Sequence, residues 1–336
     1  MNKRSKLSII VIVLLGLLVA GSVFFVVKRS GLHNSSQGPT NNSDQSAAQG
    51  VPPGADQSAD QSAAQSTAGG GLTIYNLDVG KADCAVIISE GSTGIIDAAT
   101  AEACDTIDHF LVNKNISSFD YMILTHYDRD HIGSAVNILK KCDVGSIYIP
   151  DYVSAKEYYA PLMKVLDGRD GVTTVSGVPL DVTLPDLSLR ILPATDPEAL
   201  KADEKDYDNN MSLVCLMTYG DSRFLFTGDI EHDRIAQILN DGEDISADWI
   251  KIPHHGSYEK KIKKLLKTTG AQYAVISTST DNPPDEKLMS AIDKKGIDVF
   301  STADGDVVTT SDGKTVVVSG VSGGRGCQGD VPFVTL

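Results

Sequence analysis

Hydrophobic and polar positions divide the chain into three stretches. The first contains an uncharged apolar run from Leu7 to Val27, with three basic residues before it and two after it. At about 1.5 Å per helical residue the run reaches about 30 Å, the thickness of a bilayer core. Residues 1–30 are therefore predicted to form a transmembrane signal anchor, with the bulk of the chain outside the cytoplasm. The small residues Val19-Ala20-Gly21-Ser22 offer the alternative of a cleaved signal peptide and a secreted protein.

Residues 31–70 form the second stretch, in which Ser, Gln, Ala, Gly, Asn and Pro are in excess. The tetrapeptide Asp-Gln-Ser-Ala begins at positions 44, 56 and 60. Such a tract has too little apolar surface to offset the entropy that ordering would cost. It is predicted to be a disordered low-complexity linker.

From residue 71 onward, short β-branched runs alternate with amphipathic helical segments. An Asp-Gly turn between residues 307–310 and 315–318 predicts a hairpin. The alternation occurs twice, which favours an α/β sandwich of two related halves over residues 71–336. The other predicted strands are 72–77, 84–89, 94–96, 121–124, 146–149, 187–192, 212–219, 223–227, 249–252 and 274–277, and the predicted helices are 100–113, 133–141, 231–240, 260–268 and 285–295.

The net charge of the chain narrows the classes of substrate that it can bind. The 336 residues have a net charge of −15, so a nucleic-acid substrate would need a local basic groove or a metal site. The lysines of residues 260–267 are a candidate anion-facing patch, with a solvated helix face as the alternative.

Cys84 and Cys215 are predicted to be buried thiols. Cys104 and Cys142 lie on predicted helices that could face one another, so an exported domain could form a disulfide there.

The strongest chemical signal is a cluster of metal-ligand side chains in one loop. His126, Asp128, Asp130 and His131 come directly after the apolar strand 121–124. A solvated polar loop does not require four imidazole and carboxylate groups within six positions. A loop that leads from the carboxyl end of a strand into a helix is where α/β folds place their sites. We therefore predict that this loop binds a metal.

Three other features complete a recognisable pattern. Asp97 closes a predicted strand, Thr227-Gly228-Asp229 follows an apolar strand, and Lys251-Ile252-Pro253-His254-His255-Gly256-Ser257 follows another. Together with the loop spacing H-x-D-x-D-H, they resemble the metallo-β-lactamase superfamily. The last motif resembles its ComEC-type competence hydrolase branch, as do Leu77-Asp78-Val79-Gly80 and Asp83. The resemblance implies a metallo-β-lactamase αββα sandwich and metal-dependent hydrolysis.

The resemblance also implies a site with two metals. Two metals about 3.5–4 Å apart lower the pKa of a shared water toward neutrality and provide a hydroxide nucleophile. Zinc is the metal that the resemblance implies, and the oxygen-rich donor set also suits manganese. The implied ligands are His126 and Asp128 on the first metal, Asp130, His131 and His255 on the second, and Asp229 as the bridge.

Other residues have implied roles around the metals. Asp78, Asp97 and Asn209 are expected to support the ligands, and the two aspartates would do so by orienting imidazoles. For Asp78 and Asp83 the alternative is a loop carboxylate that caps backbone amides.

Three residues are candidates for a direct part in catalysis. His254 is predicted either to support a ligand or to face the substrate. Lys251 is predicted either to contact a phosphate oxygen or to form a surface ion pair. The catalytic candidates are Asp130, His254 and Lys251.

The sequence departs from the superfamily pattern at three points. Asp128 replaces the second loop histidine, and Asn209-Asn210 occupies the region where a middle metal-binding histidine is expected. Asn282-Pro283-Pro284 lies where the branch often has a histidine-proline. These departures leave the first metal less secure than the second.

A metal pair of this kind suits displacement at phosphorus. The sequence therefore predicts an extracytoplasmic, membrane-tethered phosphodiesterase, with DNA as one substrate. Small cell-wall phosphodiesters and lactams are alternatives, because fold does not fix function. A non-catalytic metal-binding surface module is the alternative from another class. No protein partner follows from the sequence.

Overall fold

The computed structural model describes residues 71–201 and 205–320, which form two β-sheets packed face to face. The predicted anchor over residues 1–30 and the predicted linker over 31–70 lie outside this part. Within the described ranges, no helix is both long enough and apolar enough to cross a membrane.

The first sheet has eight strands. In spatial order they are β15 (Val316–Ser319), β14 (Val307–Ser311), β1 (Leu72–Asn76), β2 (Ala85–Ile88), β3 (Thr93–Ile96), β4 (Ser118–Ile123), β5 (Asp143–Pro150) and β6 (Val172–Val175). Pairing is antiparallel from β15 to β3 and parallel from β3 to β6. The predicted C-terminal hairpin, β14 and β15, is confirmed, and it adds to the sheet of the first half because Ser311 pairs with Leu72.

The second sheet has seven strands. In spatial order they are β13 (Asp298–Ser301), β12 (Tyr273–Ile276), β11 (Trp249–Lys251), β10 (Ser222–Phe226), β9 (Val214–Tyr219), β8 (Ser188–Leu192) and β7 (Leu180–Thr183). Pairing is antiparallel from β7 to β10 and parallel from β10 to β13. Each sheet thus has an antiparallel part followed by four parallel strands, which agrees with the prediction of two related halves.

Helices cover the outer face of each sheet. The α-helices are α1 (Cys104–Asn113), α2 (Arg129–Ile132), α3 (Ala135–Lys141), α4 (Tyr159–Leu166), α5 (Pro197–Leu200), α6 (Tyr207–Asn210), α7 (His232–Asp241), α8 (Ile262–Thr269) and α9 (Glu286–Asp293), and the 3₁₀ turns are Ala101–Ala103, Pro253–Gly256 and Thr302–Asp304. Helices α1, α3 and α4 pack on the first sheet, and α7, α8 and α9 pack on the second. A third core lies between the sheets, so the predicted α/β sandwich is confirmed.

The amphipathic pattern of α8 shows how these helices dock. Ile262, Leu265 and Leu266 are buried on one face at helical spacing. The lysines at 263, 264 and 267 are exposed on the other face, and those at 260 and 261 are exposed just before the helix. The predicted solvated helix face therefore accounts for this lysine run without a bound anion.

Three strands and four helices (α2, α4, α5 and α6) were not predicted. Strands β6, β7 and β13 are all at sheet edges. Edge strands are partly solvated and lack the continuous apolar run of a central strand. Helix α4 contains Pro161 in its first turn, where the missing N–H is tolerated but the sequence reads as a break.

The described cysteines are all free thiols. Cys84 and Cys215 are buried, as predicted, and burial raises the pKa of both thiols. Cys104 Sγ lies 3.1 Å from Ser134 Oγ, so it contacts a hydroxyl group and forms no disulfide with Cys142.

Candidate metal centre

The candidate ligands lie just beyond the carboxyl ends of parallel strands from both sheets. Asp97 directly follows β3, His126 follows β4, Asp229 follows β10 and His255 follows β11. Carboxyl ends of adjacent parallel strands share one edge of a sheet, which brings these loops together. The side chains that are distant in sequence therefore converge.

His131 is held from both sides of its ring. Its Nδ1–H donates to Asp97 Oδ2 at 2.8 Å, and its Nε2 lies 3.2 Å from Asp229 Oδ2. The Asp97 carboxylate also accepts from the backbone N–H and the hydroxyl of Thr125. Asp97 has the left-handed φ of 59°, a conformation that costs free energy outside glycine and often marks a functional position. The structure thus places Asp97 where it orients an imidazole.

His255 is fixed in a comparable way by the backbone. Its Nδ1–H donates to the carbonyl of Ser277 at 2.9 Å. Its Nε2 lies 3.2 Å from Asp229 Oδ2 and 3.3 Å from Asp130 Oδ2. His254 and His255 have φ values of 48° and 51°, so two successive non-glycine residues are left-handed. This strained turn aims the His255 ring at the aspartates.

The pocket between these groups fits a divalent metal. Within the described chain, the Nε2 atoms of His126, His131 and His255 are buried and lack hydrogen-bond partners, as does Asp229 Oδ1. Buried polar atoms are rarely left unpaired in this way. The ligand atoms of His126, His131 and Asp229 lie within 4.8 Å of one another, and so do those of Asp130, His131 and His255. These are nitrogen and oxygen donors that zinc and manganese accept.

The electrostatics of the pocket favour positive charge near the aspartates. Burial alone would lower the pKa of His255, but Asp229, Asp130 and Asp83 raise it to about 9. Burial likewise opposes protonation of His131, yet Asp229 and Asp97 raise its pKa well above the usual value. A bound metal would displace these protons, because ligation requires neutral imidazoles.

The His126 end of the pocket has fewer groups in place. Asp128 lies outside the two ligand groups described above, and its carboxylate forms an ion pair with Lys156, with Nζ 2.9 Å from Oδ1. Asn209 donates through its Nδ2 to Glu231 Oε1 at 2.7 Å. Both residues are thus engaged with neighbours that the sequence analysis did not single out.

Lys251 is buried and is not a surface residue. Its side chain is only 4 % exposed, and its ammonium forms an ion pair with Asp83, while Nζ lies 3.6 Å from Asp229 Oδ1. Burial alone would lower the pKa of Lys251, but the charges of Asp83 and Asp229 raise it, so the side chain is a cation. The predicted surface ion pair is wrong, because the pair lies in the interior.

Asp83 is the residue of this centre whose role the sequence analysis missed. Its oxygens lie 3.8 Å from His131 Nδ1 and 3.7 Å from His255 Nδ1. The only sequence signal was its place after the Leu77-Asp78-Val79-Gly80 motif. The predicted alternative, a loop carboxylate that caps backbone amides, does not describe these contacts.

Asp78 and His254 are placed apart from the pocket. Asp78 is exposed, and its Oδ1 accepts from the N–H of Gly80 at 3.4 Å, a local turn contact. His254 Nδ1 lies 3.5 Å from Glu231 Oε1 and 3.9 Å from Glu259 Oε1. Asp78 thus behaves as a turn carboxylate, and His254 belongs to a separate histidine–glutamate group.

Comparison with known proteins gives a family for this arrangement. The model of the metallo-beta-lactamase superfamily matches residues 77–280, more than half of the chain. The chain is also 32% identical to ComE operon protein 3 of Bacillus subtilis (strain 168) over 198 residues. That match covers 57% of this chain and 24% of the relative, so the chain spans only part of that protein's length. The predicted resemblance to the superfamily and to its ComEC-type branch is confirmed.

Solved structures show weaker likeness. The metallo-beta-lactamase fold protein YhfI from Bacillus subtilis is 13% identical with a TM-score of 0.46, covering 72% of this chain and 100% of that chain. Igni18, a metallo hydrolase from Ignicoccus hospitalis KIN4/I, is 17% identical with a TM-score of 0.47, covering 74% of this chain and 100% of that chain. Both scores are below 0.5, so the assignment rests on the family model. The chain belongs to the metallo-β-lactamase superfamily of metal-dependent hydrolases.

Proposed function

We propose that the protein is an extracytoplasmic phosphodiesterase that uses a pair of divalent metals, with zinc as the first choice and manganese as the alternative. The observation that carries the proposal is the position of Asp229. Its Oδ2 lies 3.2 Å from Nε2 of both His131 and His255, so one carboxylate oxygen faces both ligand groups. A pair of metals that shares one carboxylate suits in-line displacement at phosphorus.

Each part of the pocket has a role in this proposal. Bound metals would polarise a phosphoryl oxygen and make water a better nucleophile. Asp97 and the Ser277 carbonyl hold the two imidazoles so that their Nε2 atoms face the pocket. The ligands would be His126 and Asp229 for the first metal and Asp130, His131, His255 and Asp229 for the second, with Asp128 joining the first only when it leaves Lys156.

A polar cleft beside His255 supports a phosphodiester as the substrate class. It is lined by Lys81, Ser257, Tyr258 and Asn282 among others. An exposed ammonium, a hydroxyl and an amide are suitable partners for phosphoryl oxygens. Asn282 thus lies beside the ligand His255, at the place where the branch often has a histidine.

Two observations favour different phosphodiesters. The resemblance to the ComEC-type competence hydrolase branch favours DNA. The net charge of −15 favours a small phosphodiester of the cell wall, which needs no long basic groove. The location outside the cytoplasm and the attachment to the membrane rest on the apolar run from Leu7 to Val27.

A turnover screen tests the proposal. The full chain, purified in detergent and loaded with zinc or manganese, is offered bis-p-nitrophenyl phosphate, single-stranded DNA, duplex DNA and a cephalosporin. We expect cleavage of bis-p-nitrophenyl phosphate that Asp130→Ala and Asp229→Ala abolish. Cleavage of the cephalosporin alone would overturn the phosphodiesterase proposal, and equal rates in the variants would identify a contaminant.

One feature favours the second candidate, a non-catalytic metal-binding module. Asp128 is tied to Lys156 and Asn209 to Glu231, which leaves His126 short of partners for a metal. Under this alternative the purified chain holds metal but cleaves none of the four substrates.

A further inference from the structure

The buried ion pair of Lys251 and Asp83 lies directly behind the ligands. Lys251 is the last residue of β11, a central strand of the second sheet, and Asp83 is in the loop before β2. Both side chains are at most 9 % exposed. The pair contacts the metal pocket through Asp229 and approaches the Nδ1 atoms of His131 and His255.

Lys251 is the permanent positive charge of the pocket, because the imidazoles of His131 and His255 must lose their protons when a metal binds. Four carboxylates meet there, from Asp83, Asp97, Asp130 and Asp229. Among the described residues, no lysine or arginine other than Lys251 forms an ion pair with any of these four carboxylates. Buried carboxylates without a counter-charge repel one another and are costly to keep ionised.

Lys251 also acts on one particular oxygen of Asp229. Its Nζ lies 3.6 Å from Oδ1, whereas Oδ2 faces the imidazoles of His131 and His255. The ammonium thereby draws one oxygen away from the ligands and leaves the other to face them. This division requires the lysine to stay fixed, and the ion pair with Asp83 fixes it.

We infer that Lys251 is a built-in counter-ion of the metal centre, held by Asp83, which balances the carboxylates before metal binds and restricts Asp229 to one ligating oxygen. Lys251 is then a positioning residue that never touches the substrate. The inference rests on the metal centre of the proposed function but not on the bond that the enzyme cleaves.

A counter-ion has an electrostatic signature that a packing role lacks. A cation beside the pocket repels a divalent metal, and a carboxylate there attracts it. Lys251→Met should therefore tighten zinc binding at least about tenfold, and Asp83→Asn should weaken it at least about tenfold. The double variant, which removes both charges, should bind zinc within about threefold of the wild type. Lys251→Arg keeps the charge and should also stay near the wild type.

Zinc affinity of the full chain in detergent, measured by competition with a chromogenic chelator, tests this without any substrate. Opposite shifts in the two single variants support the inference. Weaker binding in both, or no change in either, would overturn it. If Lys251→Met does not fold, the double variant is compared with Asp83→Asn, and binding that is not tighter in the double variant counts against the inference. A wild-type chain that binds zinc but cleaves no phosphodiester would contradict the proposed activity. The comparison of zinc affinities among the Lys251 and Asp83 variants would still be valid.

Discussion

The two ends of the metal pocket differ in how firmly their ligands are held. At the His255 end, Asp97 and the Ser277 carbonyl orient the two imidazoles, and Asp229 faces both. At the His126 end, Asp128 is paired with Lys156 and Asn209 with Glu231. The loop of residues 126–131 supplies side chains to both ends. Belonging to this motif therefore does not by itself determine whether a side chain is held in position to bind a metal. What differs is the set of neighbours that other elements bring.

Removal of Asp229 should have the largest effect, because it faces both ends. We expect Asp229→Ala to lower kcat/KM for bis-p-nitrophenyl phosphate by about 1,000-fold or more, a loss of about 4 kcal/mol of transition-state stabilisation. The matched control is Asp221→Ala, an exposed aspartate in the turn before β10. Equal activity of the two variants in steady-state assays would show that Asp229 is not part of the centre.

Substitutions of His255 and His126 should affect different zinc ions. His255→Ala should lower the affinity of the tighter zinc by about 100-fold or more, while His126→Ala should leave that zinc in place and remove only the weaker one. The metal content of each variant after gel filtration, measured by mass spectrometry, checks this. Loss of both zinc ions from His126→Ala would remove the distinction between the ends.

Asp97 tests whether orientation matters at the His255 end. Asp97→Asn keeps the shape but loses the charge that holds His131, so metal affinity or activity should fall by about 10- to 100-fold. Asp78→Asn is the control, since the exposed Asp78 side chain accepts from the nearby Gly80 N–H and lies apart from the pocket. A chelator titration in which the two variants match would argue that the Asp97 contact is incidental.

Substitution of Lys156 should have the smallest effect of these variants, confined to the affinity of the weaker zinc. Lys156→Met should free Asp128 and tighten the weaker zinc by about three- to tenfold, because a carboxylate becomes available as a ligand. The stability of the fold should change by less than about 1 kcal/mol, since the ion pair is partly exposed. Lys164→Met, an exposed lysine of α4, is the control. No tightening in calorimetry would mean that Asp128 does not serve the first metal.

The fold and the ligands at the His255 end could be predicted from local sequence patterns. The burial of Lys251 and the contacts of Asp83 and Lys156 could not. Asp97, Asp229 and His255 each come just after an apolar strand, and His131 lies in α2 at the end of the loop that follows β4. The carboxyl ends of parallel strands bring these segments together. For Lys251 the sequence predicted a phosphate contact or a surface ion pair, and its local pattern did not indicate burial. Pairing of β11 with strands on both sides buries it.

Contacts between distant loops set the remaining features. Asp83 and Lys251 are far apart in the chain, and nothing in either local pattern indicates the other. Lys156 lies in the loop after β5, and only the packing of that loop brings it to Asp128. The strands missed by pattern, β6, β7 and β13, are edge strands for which solvent replaces an apolar neighbour.

A calorimetric titration of zinc into the metal-free full chain tests the asymmetry of the centre most directly. The structure predicts two binding events, one tight and one at least about tenfold weaker, with the tight event lost in His255→Ala and the weak event lost in His126→Ala. Two events of equal affinity, or no binding at all, would contradict it.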